Sequence, residues 1–297
     1  MSVSKPNRPI GIFDSGLGGL TVFAEVKKRL PNESILYLGD TARVPYGTKS
    51  PETIIRYSLE CASFLEQRGV KAIVVACNTA SALALPALQS KFDLPLIGVV
   101  GPGATDALKT SQKRAIGVIG TAATIASDAY ARALKQLDGH VRVVSQACPL
   151  FVPLVEEGWL DNEVSMAAAK RYLSGMKEED IDVVILGCTH YPLLKPIIRE
   201  TLGNDICLID SAEATARALE SILQNPPTPR KGAWPQRGFT PPFVKGGDNS
   251  FPPLEKGGVG GFGPTYQIYV TDLPGRFEMV ARRFLGDDIP QVRHVTL

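Results

Sequence analysis

Paired cysteines, clustered histidines and an excess of one charge are what this sequence lacks. Its five cysteines, Cys61, Cys77, Cys148, Cys188 and Cys207, include no CxxC pair, which argues against a structural zinc site or a thioredoxin-like motif. The odd count at wide spacing argues against a disulfide framework. The three histidines, His140, His190 and His294, form no pair at metal-ligand spacing. Lys plus Arg number 32 against 30 Asp plus Glu, so there is no basic excess of the kind that tracks nucleic-acid phosphates. No apolar run reaches the roughly 18 residues of a membrane helix, and the first residues show no apolar signal core. The expectation is a cytosolic protein with free thiols that requires neither nucleic acid nor membrane.

What is present is a regular alternation. Short β-branched runs at 9–14, 34–39, 71–76, 96–100, 115–120, 141–145, 182–187, 206–210 and 266–270 are separated by helical patterns. One helix is marked by Ser50 as N-cap and Pro51 at the first helical position, and runs to Gly69. Near-continuous apolar strands between helices imply an α/β fold of mainly parallel sheets. The run Ile10 to Ser15 is echoed by Ile116 to Thr121, and Val74 to Thr79 by Ile185 to His190, at offsets of 106 and 111. Two near-equal offsets imply two α/β halves of similar topology.

Ligands of open α/β sheets bind beyond the carboxyl ends of strands. The polar residues there are Asp14 and Ser15, then Asp40 with Pro45-Tyr46-Gly47, Cys77-Asn78-Thr79, Thr121 with Thr124, and Cys188-Thr189-His190. Cys77 and Cys188 hold equivalent places in the two halves, each ahead of a helical pattern whose dipole would lower a thiol pKa. Cys61, on a helix face, and Cys207, inside a strand, read as core; Cys148 is ambiguous. Gly16-Leu17-Gly18-Gly19 suggests a dinucleotide loop, but Thr21 stands where the third small residue belongs. Two thiols facing one cleft suit removal of a proton from one face of a carbon acid and delivery of another to the opposite face. Thiol pKa values allow a base and an acid near neutral pH. Such chemistry needs no metal or cofactor.

The motifs GIFDSGLGGL (11–20), YLGDTARVPYG (37–47), VACNTAS (75–81), GVIGTAATI (117–125), FVPLVEEG (151–158), ILGCTHYPLL (185–194) and LIDSAEATA (208–216) resemble those of the glutamate racemases in the cofactor-independent aspartate/glutamate racemase superfamily. The resemblance implies that Cys77 and Cys188 are the proton donor/acceptors, Cys77 for D-glutamate and Cys188 for L-glutamate. It implies that Asp14 assists Cys77 and that His190 and Glu156 assist Cys188. Ser15, Asn78, Thr79, Thr121 and Thr189 would hold the α-amino and α-carboxylate groups, and Tyr46 with Gly47 the side-chain carboxylate; Asp14 and His190 would also bind substrate. It further implies a homodimer, supply of D-glutamate for peptidoglycan, a closing strand, helix and strand from 266, and two pseudo-symmetric domains with the active site between them. Their bounds would be 1–100 plus 211–297, and 101–210. A racemase of aspartate or another small acid, or a non-catalytic acidic amino-acid binder, is the alternative.

The segment 225–264 departs from the family pattern. It holds 9 of the 23 prolines and 9 of the 28 glycines, a composition that excludes helix and central strand and implies a solvent-exposed insertion. Replacing it with a short Gly/Ser linker is expected to leave the melting temperature and racemisation near wild type; a collapse of either in thermal melts or kinetics would make it a structural element.

Overall fold

The computed structural model describes residues 8–225 and 263–297; all but the ends of the Pro/Gly-rich insertion lies outside them. The strands are β1 (Ile10–Asp14), β2 (Ile35–Gly39), β3 (Ala72–Val75), β4 (Leu96–Gly98), β5 (Ala115–Gly120), β6 (Arg142–Ala147), β7 (Val183–Gly187), β8 (Cys207–Asp210), β9 (Tyr266–Val270) and β10 (Val292–His294). The helices are α1 (Leu20–Arg29), α2 (Pro51–Gln67), α3 (Asn78–Lys91), α4 (Val100–Thr110), α5 (Ala122–Ala126), α6 (Ala129–Leu137), α7 (Phe151–Glu157), α8 (Glu163–Lys177), α9 (Lys195–Leu202), α10 (Ser211–Gln224) and α11 (Pro274–Leu285). Ser50 caps α2 as expected, accepting a hydrogen bond from the Thr53 N–H.

The strands form two sheets, β10-β9-β2-β1-β3-β4 and β6-β5-β7-β8, and every pairing is parallel. The four strands β2-β1-β3-β4 repeat in order as β6-β5-β7-β8, so the echoes in the sequence correspond to equivalent strands. The chain after the insertion returns to extend the first sheet with β9 and β10. Each sheet is covered on both faces. The first packs Ile12 and Tyr37 beneath α1, α10 and α11, and Ile73 and Val75 beneath α2 and α3. The second packs Ile119 and Leu186 beneath α7 to α9, and Val118 and Ile185 beneath α4 and α6. Apolar side chains on both faces of each strand explain the unbroken hydrophobic runs.

Cys61 and Cys148 are buried in these cores. Cys207 corrects an expectation: it lies in a strand but is exposed, because among the described residues β8 is an edge strand paired only with β7 and Cys207 begins it.

In each sheet the strand order reverses beside the first strand of the half, between β1 and β3 and between β5 and β7. Such switch points open a crevice at the carboxyl ends. The turn after β1 meets the turn after β7, and Gly18 makes the approach possible. A Cβ there would stand 2.5 Å from His190 Nδ1 and collide with the Thr189 hydroxyl. Gly18→Ala is expected to cost about 1–3 kcal/mol as overpacking and to reduce turnover by prising the turns apart; denaturant melts and kinetics read both effects.

Candidate active site

The two crevices share one cleft. From the first sheet come Ser15 and Gly16 after β1, Val44 to Gly47 after β2, and Cys77, Asn78 and Thr79 after β3. From the second come Thr121 after β5, Val152 and Glu156 on α7, and Cys188, Thr189 and His190 after β7. All the anticipated site residues line the cleft except Asp14, which is fully buried behind it. Three hydroxyls close one wall: Thr79, Thr121 and Thr124 lie 3.0 Å from one another. The Thr21 hydroxyl contributes a second tie between the halves, 2.9 Å from the Gly18 carbonyl and 3.4 Å from that of Thr189.

Cys77 is the N-cap of α3, its sulfur accepting the Ala80 N–H at 3.5 Å. The helix terminus is where the sequence pattern puts it, but the thiol moves opposite to the dipole expectation. Burial, with the negative charge of Asp14, pushes it up to about 12, against weaker hydrogen bonds from Ala80 and Ser15. Cys77 therefore rests as a neutral thiol, because desolvation of an anion outweighs the dipole. Asp14 accepts the Gly16 N–H at 2.9 Å through Oδ2, while its buried Oδ1 has no hydrogen-bond partner among the described residues. Burial raises its pKa, opposed by the charge of His190.

Cys188 is followed by a 3-10 turn, Tyr191–Leu194, rather than directly by an α-helix, and its special neighbour is a side chain. His190 Nδ1 lies 3.8 Å from the Cys188 sulfur, and Nε2 lies 3.2 Å from Glu156 Oε1. Burial by itself would depress the imidazole, but its hydrogen bonds to Cys188 and Glu156 outweigh that and raise it to about 10. Burial would likewise raise Glu156, yet the His190 hydrogen bond and charge hold it below the usual carboxylate range. The result is an imidazolium with a proton beside Cys188 and a carboxylate orienting it from behind.

Tyr46 is a cleft residue, but its hydroxyl donates to Asp40 at 2.5 Å. Tyr46 and Gly47 open a 3-10 turn, so their N–H groups have no partner within it. No three His, Cys, Asp or Glu side chains are grouped as metal ligands among the described residues.

A family model described as Asp/Glu/Hydantoin racemase matches residues 20–219, which include both cleft cysteines. The chain belongs to the Asp/Glu/Hydantoin racemase family. Within the family it is similar to the glutamate racemase of Geobacter metallireducens, at 50% identity over 98% of each chain. Among solved structures it resembles a glutamate racemase isoform of Bacillus anthracis, with 41% identity, TM-score 0.84 and 99% of each chain covered. It also resembles the Francisella tularensis glutamate racemase in complex with D-glutamate, with 36% identity, TM-score 0.81 and 98% coverage of each chain.

For this racemase-family chain, sequence reasoning set Gly16 in the glycine turn after β1 without naming it a site residue, and it missed the cleft residues Val44 and Val152. It also missed Tyr130, whose hydroxyl lies behind the cleft wall. Position after a strand was the signal that put Gly16 in the turn after β1; nothing in the sequence singles out Tyr130, an aromatic in the first turn of α6.

The raised His190 pKa has a definite sign. Its contribution to stability is fully present below the ordinary histidine value of about 6.5 and is lost as pH rises through about 10. NMR titration is expected to show the His190 ring still protonated at pH 8, with a lower midpoint in Glu156→Gln. Titration of wild-type His190 near its ordinary value would contradict the assignment.

Proposed function

We infer that the chain is a glutamate racemase, interconverting L- and D-glutamate by proton transfer at the α-carbon between two thiols. The observation that carries this reading is the placement of Cys77 and Cys188. They follow equivalent strands of two duplicated sheets and line one cleft, as two-face proton transfer demands. Curated glutamate racemases similar along nearly the whole chain support it.

In the L-to-D direction the Cys188 thiolate takes the α-proton and becomes a thiol. The electron pair left on the α-carbon delocalises into the α-carboxylate, and the Cys77 thiol gives its proton to the opposite face, becoming the thiolate. The reverse direction exchanges the roles. His190, as imidazolium, serves the Cys188 side, where it balances negative charge on sulfur, and Glu156 fixes its ring. Asp14 serves the Cys77 side from beneath the cleft. The hydroxyls of Ser15, Thr79, Thr121 and Thr189 and the amide of Asn78 receive the amino-acid head group, and the N–H groups of Tyr46 and Gly47 the distal carboxylate. No step requires a cofactor.

The same reading assigns the chain to the cytoplasm, where it supplies D-glutamate for peptidoglycan, and makes it a homodimer. It divides the chain into domains 1–100 plus 211–297, and 101–210, each carrying one catalytic cysteine.

Deuterium entering the α-carbon from solvent, followed by NMR, tests the thiol assignment. A positioned acid or base contributes about 10²–10⁴-fold, so Cys77→Ser and Cys188→Ser are each expected to lose at least about 10²-fold in racemisation. Cys77→Ser should retain exchange on L-glutamate, and Cys188→Ser on D-glutamate. Cys61→Ser, in the core, should lose stability and little turnover. Full racemisation by either cleft variant would remove the two-thiol mechanism; preferential turnover of aspartate would move the substrate.

A further inference from the structure

Asn78 lines the cleft, and the way its amide is turned decides whether substrate meets a donor or an acceptor there. Its Oδ1 lies 2.6 Å from the hydroxyl of Tyr130, which lies 3.0 Å from Oγ of Ser211. All three residues are buried. A separation of 2.6 Å belongs to an O–H···O bond, since N–H···O bonds centre near 2.9 Å. The phenol has one proton, so Tyr130 donates to Asn78 and accepts from Ser211.

With Oδ1 engaged toward the interior, Nδ2 is left with no hydrogen-bond partner among the described residues. It is not one of their sealed, unpartnered atoms either, so its opening is the cleft that Asn78 lines.

The three residues come from three places in the fold. Asn78 opens α3 beside the first sheet, Tyr130 lies on α6 beside the second, and Ser211 is the first residue of α10, which leads back from the second sheet to the first. A fourth element leaves room for them: a Cβ on Gly103, in α4, would come within 2.8 Å of Ser211 Oγ and 3.5 Å of the Tyr130 ring.

We propose that Tyr130 and Ser211 are positioning residues of the racemase: their hydrogen-bonded relay locks the Asn78 amide so that its NH₂ donates to a carboxylate oxygen of the acidic substrate. This deepens the racemase reading and rests on it. A donor fixed in this way binds ground state and transition state alike, so its loss appears in KM rather than kcat. Because the relay spans both halves, it also makes the bound head group sensitive to their relative placement.

The test is a double-mutant cycle between Tyr130→Phe and Asn78→Ala, with glutamate kinetics in both directions and calorimetric Kd for L-glutamate. Tyr130→Phe keeps the ring in the core and removes only the hydroxyl. It is expected to raise KM and Kd about tenfold, as for a hydrogen bond to a charged group, with little change in kcat. In the Asn78→Ala background it should add nothing. Ser211→Ala, which leaves the phenol its bond to Asn78, should give a smaller rise in the same direction, and it serves as the reporter if Tyr130→Phe folds poorly. Additive effects in the double variant, or a lowered melting temperature with unchanged KM and Kd, would overturn the relay. Failure of the wild type to racemise glutamate would overturn the enzymatic reading instead, and the cycle would still be decided in Kd.

Discussion

A sulfur anion is expensive to hold where Cys77 and Cys188 are buried, and the arrangement of the cleft answers to that expense. Cys77 sits at a helix N-terminus with N–H groups available, yet burial and the nearby Asp14 keep its thiol neutral. Cys188 has His190 instead, a cation sustained by Glu156. The two sulfurs thus have unlike partners although their strands are equivalent. One side is furnished with a proton and a positive charge, the other with a carboxylate beneath the surface. Desolvation raises the energy of any thiolate that forms there, which also makes it a stronger base.

That asymmetry is built on a symmetric frame. Duplication of the strand order brings one switch-point crevice from each sheet to a common cleft, and the turns after β1 and β7 come within side-chain contact. Gly18 permits the approach because no Cβ fits there. The threonine hydroxyls of the wall and the Tyr130 relay then join the halves through hydrogen bonds, beside the apolar contact of Phe284, which packs against a core of each sheet. Polar ties suit a surface that opens to a charged amino acid, since each group there finds either a protein partner or the ligand.

How much of this was legible in the chain varies with the range of the interaction. The nine strand runs and the Ser50 cap were readable because period and capping act over a few residues. Cys207 misled because an apolar run does not reveal which strand forms the sheet edge. The thiol pKa misled for a related reason: the helix terminus is local, whereas burial depends on every element around the sulfur.

The amino-acid sequence by itself determined the α/β alternation, the duplicated halves and the motifs that hold Cys77, Cys188 and their polar followers, because strand propensity, capping and turn chemistry are local. Only the tertiary structure decided that these strand ends share one cleft, that Asp14 lies behind it, that Tyr46 spends its hydroxyl on Asp40, and that Tyr130 reaches Asn78 from 52 residues away. Each of those depends on distances between elements far apart in the chain, and on the water they exclude, which no local pattern encodes.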